Sequence, residues 1–113
     1  MIKTILYVED RPMYFKCNVR LLELIGFNVF HFTDADEAAE EIKEGLKYDV
    51  ALIDLTLLGS RYTGLEVLEI SKKYNKNIPA YACSSYKAAN PAVFDGYIPK
   101  LSFEKKLEDI INK

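Results

Sequence analysis

The stretch "DVALIDLTLLG" (residues 49–59) decides the fold, because it places an acidic residue, Asp54, at the end of an apolar run. A short run of this kind, apolar on both faces, is typical of a central strand in a parallel sheet. Burying an ionised carboxylate costs several kcal/mol unless the charge has partners. The sequence therefore predicts a buried strand over 49–54 and requires something nearby that stabilises the charge of Asp54.

Strand-like and helix-like segments alternate along the rest of the chain. Short runs rich in β-branched and aromatic residues predict four further strands, at 3–8, 27–32, 80–84 and 97–99. Helix formers, or apolar residues at helical spacing, predict helices over 12–25, 34–46, 65–74 and from Ser102 onward. This alternation is typical of an α/β fold in which helices cover both faces of a doubly wound parallel sheet.

Local signals predict where the first two helices begin and end. Pro12 suits a first helical position, where its missing N–H does no harm, and Gly26 is a stop signal. Thr33 followed by Asp36 has the form of a capping box for the second helix. We expect the first helix to bury the apolar residues that recur on one of its faces, Cys17, Leu21, Leu24 and Ile25.

Composition and charge are those of an ordinary globular chain. The 113 residues suffice for a single domain over 1–113, and the net charge of −2 argues against general binding to nucleic acids or anionic membranes. No apolar run approaches the roughly 20 residues of a membrane span, and the start lacks a signal-peptide pattern, so we expect a cytoplasmic protein. Cys17 and Cys83 form neither a disulfide framework nor a zinc motif, and we expect both to be buried.

Polar residues follow the predicted strands at the point where each strand ends. They are Glu9, Asp10, Asp54, Ser84, Ser85 and Lys100. The carboxyl ends of parallel strands share one edge of a sheet, and binding sites of α/β proteins lie there. Carboxylates gathered at that edge repel one another, and a cation that prefers oxygen ligands, such as Mg²⁺, relieves the repulsion. We therefore expect Mg²⁺ and Lys100 to keep Asp54 ionised.

The same groups predict phosphoryl transfer to Asp54. A carboxylate beside a metal ion can attack a phosphoryl group and form an aspartyl phosphate. The metal and the ammonium group of Lys100 would neutralise charge on the transferred oxygens. The hydroxyl of Ser84 would donate a hydrogen bond to one of those oxygens.

Four segments in this order, "ILYVED", "VALIDL", "YACSS" and "GYIPK", resemble the response-regulator receiver domain of two-component signalling, and the resemblance spans the whole chain. It implies a flavodoxin-like fold with five parallel strands in the order 2-1-3-4-5. The roles that it implies are Mg²⁺ binding by Glu9, Asp10, Asp54 and the backbone carbonyl of Thr56, phosphoryl acceptance by Asp54, phosphate contact by Lys100, and switching by Ser84 and Tyr97.

The segment between Ser84 and Lys100 departs from the family pattern. It is short for a helix with both of its connections. Pro91 lacks a backbone N–H and disfavours a helical conformation at Asn90, so we expect a shortened or missing fourth helix. Receivers often dimerise through that helix, and we therefore expect a monomer that signals to a different protein.

Several of these residues also have ordinary structural interpretations. The alternatives are helix capping by Asp54 or by Glu9 and Asp10, simple burial of Ser84, solvation of Lys100, and packing by Tyr97. His31, the only histidine, has no metal-ligand companion in the sequence, and we interpret it as structural.

Three functions follow from these interpretations. The first is a signalling module that accepts a phosphoryl group from a histidine kinase or phosphotransfer protein and has no enzyme activity beyond its own phosphorylation and dephosphorylation. The second is a degenerate receiver that binds a protein partner without being phosphorylated. The third, a phosphatase with an aspartate nucleophile, is disfavoured because such enzymes typically need a second acid two residues after the nucleophile, where Thr56 stands.

Overall fold

A computed structural model describes residues 2–55, 63–84 and 95–99, without the side chains of Ser84, Tyr97 and Pro99. Several of the predictions above fall outside these described residues. They concern the carbonyl of Thr56, the side chains of Ser84 and Tyr97, Ser85, the fourth-helix segment 86–94, Lys100, and the helix from Ser102 onward.

Strands and helices alternate as the sequence predicts. The elements are β1 (Thr4–Val8), α1 (Pro12–Ile25), β2 (Asn28–Phe32), α2 (Ala35–Lys43), β3 (Val50–Asp54), α3 (Gly64–Tyr74), β4 (Ala80–Ser84) and β5 (Gly96–Pro99). All neighbouring strands are parallel, and their order in the sheet is β2-β1-β3-β4-β5. The α/β class and the strand order 2-1-3-4-5 are therefore confirmed.

Helix ends are set by local chemistry, with one correction to the prediction. Pro12 begins α1, and Gly26 ends it in the left-handed conformation with φ of 112°. The predicted cap Thr33 is wrong, because α2 begins one residue later and Asp34 accepts a hydrogen bond from the backbone N–H of Asp36. A capping box is present instead at α3, where Thr63 and Glu66 exchange hydrogen bonds of 3.0 and 3.2 Å.

The predicted buried face of α1 is wrong for three of its four residues, and Leu21 alone is half-buried against the sheet. Cys17 and Ile25 are exposed, and Leu24 keeps 75% of its surface accessible. The buried residues of α1 are Asn18 and Leu22, and Phe15 and Val19 pack beside them. These four residues also recur at helical spacing, so periodicity fits both faces. The polar Asn18 is buried because its side chain has a hydrogen-bond partner on the sheet.

Two apolar clusters cover the two faces of the sheet. One joins the sheet to α2 and α3, and it includes Leu6, Val8, Ala38, Ile53 and Leu68. The other joins the sheet to α1, and it includes Ile5, Tyr7, Leu22, Leu52 and Cys83. Every residue of β3 is buried, as predicted, but the strand begins at Val50 and the predicted first residue, Asp49, is exposed. The predicted burial of Cys83 is confirmed. None of the helices described has the length and apolarity needed to cross a bilayer.

Candidate phosphoacceptor site

Three acidic side chains meet where β1 and β3 end. The strands pair in register through Val8 and Ile53, so Glu9 and Asp54 each stand one residue beyond this pair. Carboxylate oxygens of Glu9, Asp10 and Asp54 all lie within 4.8 Å of one another. Glu9 and Asp54 are fully buried, and Asp10 is partly exposed. The structure therefore brings these carboxylates together at one edge of the sheet, as predicted.

The backbone that carries Glu9 is held from β2. Its N–H donates to the carbonyl oxygen of Phe32 at 3.0 Å, which extends the β1–β2 ladder by one residue. Its carbonyl oxygen lies 2.9 Å from Nε2 of His31. The Glu9 carboxylate also accepts a hydrogen bond of 3.2 Å from the backbone N–H of Arg11. These contacts give the turn between β1 and α1 a defined shape.

A buried tyrosine lies beneath the acidic cluster. The hydroxyl of Tyr7 accepts a hydrogen bond of 3.0 Å from Nδ2 of Asn18, on α1. Burial raises the pKa of Tyr7 far above its ordinary value, and the charges of Glu9 and Asp54 raise it further, whereas the bond from Asn18 lowers it. The phenol therefore stays neutral beside the carboxylates. The sequence pattern did not predict this pair, although a tyrosine inside a buried strand is a signal that its hydroxyl needs a partner.

The start of α3 packs directly against Asp54. Gly64 is buried at the first position of the helix, and a Cβ atom there would overlap the backbone oxygen of Asp54. The same atom would lie 2.7 Å from Cα of Leu55. The chain needs glycine here because backbone meets backbone at a separation that leaves no room for a side chain.

The remaining predicted site residues follow neighbouring strands at the same edge. Asp54 pairs with Cys83, so the backbone of Ser84 stands one residue beyond the phosphoacceptor candidate. Ser84 pairs in turn with Pro99, the residue before Lys100. The strand register therefore brings the backbone of Ser84 to this edge, while the side chains of Ser84 and Tyr97, and all of Lys100, lie outside the described residues.

The acidic cluster fits a divalent cation by its donor chemistry. Carboxylates are hard oxygen donors, and Mg²⁺ is usually bound through one or two of them while it keeps several waters. Like charges at this separation disfavour joint ionisation, and a cation between them removes that penalty. Glu9, Asp10 and Asp54 are the residues that would hold the ion.

Comparison with known sequences agrees with this geometry. Residues 5–112 match the family model described as the response regulator receiver domain. Over 93 residues the chain is 32% identical to the nitrogen assimilation regulatory protein NtrX of Azorhizobium caulinodans. That match covers 82% of this chain but only 20% of NtrX, so the similarity concerns about a fifth of the longer protein.

Solved structures show the same fold. A CheY-like response regulator receiver domain protein from Methanospirillum hungatei has a TM-score of 0.84 and 25% identity, with 99% of this chain and 92% of that chain covered. TrrA, a response regulator from Thermotoga maritima solved in complex with Mg²⁺ and BeF, has a TM-score of 0.85 and 23% identity. The two chains are each covered over 98% of their length.

Proposed function

The chain belongs to the response regulator receiver domain family, and from this we propose that it is a phosphorylation-switched signalling module whose phosphoacceptor is Asp54. The observation that carries the proposal is the acidic cluster: a fully buried aspartate at the end of β3, within 4.8 Å of the carboxylates of Glu9 and Asp10. Burying a carboxylate beside two others is costly without positive charge nearby, and the arrangement suits a site that receives a cation and a phosphoryl group.

The donors in this proposal are histidine kinases or phosphotransfer proteins, the partners with which receiver domains generally interact. A carboxylate oxygen of Asp54 attacks the phosphorus atom of the donor's phosphohistidine. A new O–P bond forms as the N–P bond breaks, and the electron pair of the broken N–P bond returns to the imidazole nitrogen. The product is an aspartyl phosphate on Asp54, which water later hydrolyses.

The other site residues have supporting roles in the same proposal. Glu9, Asp10 and Asp54, with the backbone carbonyl of Thr56, would hold Mg²⁺. Bound there, Mg²⁺ supplies positive charge that stabilises the transferring oxygens. TrrA, which shares the fold, was solved in complex with Mg²⁺ and BeF. Lys100 adds a second positive charge, and Ser84 and Tyr97 transmit phosphorylation to a partner protein.

This function requires no catalysis beyond phosphorylation and dephosphorylation of the chain itself. In this proposal the protein acts in the cytoplasm as a monomer, and its phosphorylation changes its affinity for another protein. It has no direct role at nucleic acids or membranes, in keeping with the net charge of −2.

Intact-mass spectrometry with acetyl phosphate tests the proposal. We expect the mass of one phosphoryl group to be added in the presence of Mg²⁺, and not in EDTA or in Asp54→Asn. Asp34→Asn is the matched control, because it also removes one carboxylate but leaves an asparagine that caps α2 well. An unchanged mass with saturating donor and Mg²⁺ would contradict the proposal and favour a phosphorylation-independent binding module.

A further inference from the structure

His31 reaches across from β2 to the peptide that joins the two metal-binding acids. The β1–β2 ladder ends at the pair Val8 and Phe32, and the N–H of Glu9 still bonds to Phe32. The carbonyl oxygen of Glu9 lies 2.9 Å from Nε2 of His31. Because a carbonyl oxygen can only accept, Nε2 carries the hydrogen and donates it. A side chain thus holds the peptide oxygen at the end of the ladder.

The imidazole ring is itself held on two sides. Its centroid lies 5.5 Å from that of Tyr7, its partner in the strand register, and 4.3 Å from that of Phe15 on α1. The ring is half-buried in this position. With these ring contacts on the sheet side and on the α1 side, the donor nitrogen lies 2.9 Å from the carbonyl oxygen of Glu9.

The held oxygen restricts the path of the chain from Glu9 to Asp10 because a peptide group is planar. The carbonyl of Glu9 and the N–H of Asp10 belong to one rigid unit, so holding the oxygen limits rotation about the Cα–C bond of Glu9 and thereby the position of the Asp10 Cα atom. Side chains that orient ligands from behind are a general means of raising metal affinity. His31 has the geometry for this role without contacting the ion.

We propose that His31 is a positioning residue for the acidic cluster. Its Nε2–H holds the Glu9–Asp10 peptide in the orientation that lets both carboxylates converge on Asp54, and this raises affinity for a divalent cation. The cation part of this inference rests on the function proposed above. The positioning part is a property of the protein without metal.

Two substitutions separate hydrogen bonding from packing. His31→Phe keeps an aromatic ring between Tyr7 and Phe15 but removes the donor. His31→Gln removes the ring but keeps an N–H at a similar distance from the backbone. Calorimetric titration with Mg²⁺ at fixed pH is expected to show affinity reduced about tenfold in His31→Phe, the lower end of the range for such partners. Affinity in His31→Gln should fall less than in His31→Phe, since an N–H donor is retained.

A stability control lies at the opposite edge of the sheet. The hydroxyl of Tyr48 lies 2.6 Å from Oγ of Ser71 and accepts a hydrogen bond of 2.9 Å from Asn75. Tyr48→Phe removes these contacts without touching the acidic cluster, and it should lower the melting temperature but leave Mg²⁺ affinity unchanged. Mg²⁺ affinity equal to wild type in His31→Phe would overturn the inference. The inference would also be overturned if the losses of Mg²⁺ affinity in His31→Phe, His31→Gln and Tyr48→Phe were simply proportional to the decreases in their melting temperatures.

A measurement on metal-free protein keeps this result distinct from failure of the proposed function. The amide resonance of Asp10 should shift in His31→Phe and stay near its wild-type position in His31→Gln. Absence of Mg²⁺ binding in wild type would refute the metal site proposed above, and the Asp10 resonance would still decide the role of His31. An Asp10 amide unchanged in His31→Phe would overturn that role.

Discussion

Gly64 and Asp54 are in direct backbone contact, since a Cβ atom at position 64 would overlap the carbonyl oxygen of Asp54. Gly64 is the first residue of α3, and Thr63 is the N-cap of that helix. Its side chain accepts a hydrogen bond from the backbone N–H of Glu66. The helix start and the end of β3 are therefore locked together at the phosphoacceptor candidate. A side chain added at position 64 must therefore displace either the start of α3 or the backbone of Asp54.

We predict that Gly64→Ala destabilises the fold and impairs phosphorylation together. The added methyl group meets backbone atoms that cannot rotate away, and overpacking of this kind costs about 1–3 kcal/mol or more. Urea unfolding measures the loss of stability, and acetyl-phosphate labelling measures the site. Gly45→Ala is the control: position 45 has φ of 97° and open space around it, so alanine there is strained but clashes with nothing. Normal labelling in Gly64→Ala would show that the contact does not position Asp54.

Asp10→Asn should raise thermal stability when metal is absent. It removes one of three like charges whose oxygens lie within 4.8 Å, and the remaining two repel less. We expect a melting temperature a few degrees above wild type in EDTA. Mg²⁺ should then stabilise wild type more than Asp10→Asn, because the stability added by ligand binding to the native state rises with the logarithm of the affinity. A lower melting temperature for Asp10→Asn in EDTA would count against a strained acidic cluster.

Asp95 should contribute stability at neutral pH that disappears in acid. Burial opposes ionisation of its carboxylate, but the hydrogen bond from Lys72, the bond from the N–H of Ala80 and the charge of Lys72 outweigh it and lower the pKa. The Lys72 and Asp95 charges are 2.6 Å apart, and the Ala80 bond is 2.8 Å. A group whose folded-state pKa is lowered stabilises the fold above its unfolded pKa, here about 4.

The free energies of unfolding of Asp95→Asn and wild type, compared across pH, test this contribution of Asp95. The Asp95 side chain is 42% exposed, so solvent screening limits the ion pair, and we expect a loss of about 1 kcal/mol at pH 7. The difference should shrink as the pH falls from about 5 through the lowered pKa of Asp95. A difference that stays constant down to pH 2 would show that the charge is not responsible.

Phosphorylation should leave the chain monomeric. This prediction rests on the sequence of segment 86–94, where Pro91 opposes the helix through which receivers often dimerise. Sedimentation velocity with and without beryllium fluoride, in the presence of Mg²⁺, is the measurement. A mimic-induced dimer that is lost on substitution of Tyr97 or of residues in that segment would contradict it.

Local signals in the sequence predicted most of the fold. Pro12, Gly26 and the all-apolar β3 each act within a few residues, so their effect can be inferred without knowing the rest of the structure. The convergence of Asp54 with Glu9 and Asp10 was also predictable, because parallel strands bring their carboxyl ends to one edge.

What the sequence could not show depends on distances between elements. The burial of Asn18 in place of Cys17 follows from the position of Tyr7 on the sheet, and nothing near residue 18 indicates it. The contact of His31 with Glu9 joins residues 22 positions apart. The cap of α2 moved from Thr33 to Asp34 for a different reason, since both residue types cap well and only the backbone path decides between them.

The hydrogen bond between Tyr7 and Asn18 has a consequence for how α1 assembles on the sheet. Apolar side chains alone specify the position of the helix less sharply than a polar pair does, since apolar contacts of similar total volume can repack. A displaced α1 would instead bury a hydroxyl and an amide without partners, at about 1–3 kcal/mol for each. The hydrogen bond between Tyr7 and Asn18 therefore fixes the position of α1 along the sheet. It thereby fixes where the first turn of α1, which starts two residues after Asp10, lies relative to the acidic cluster.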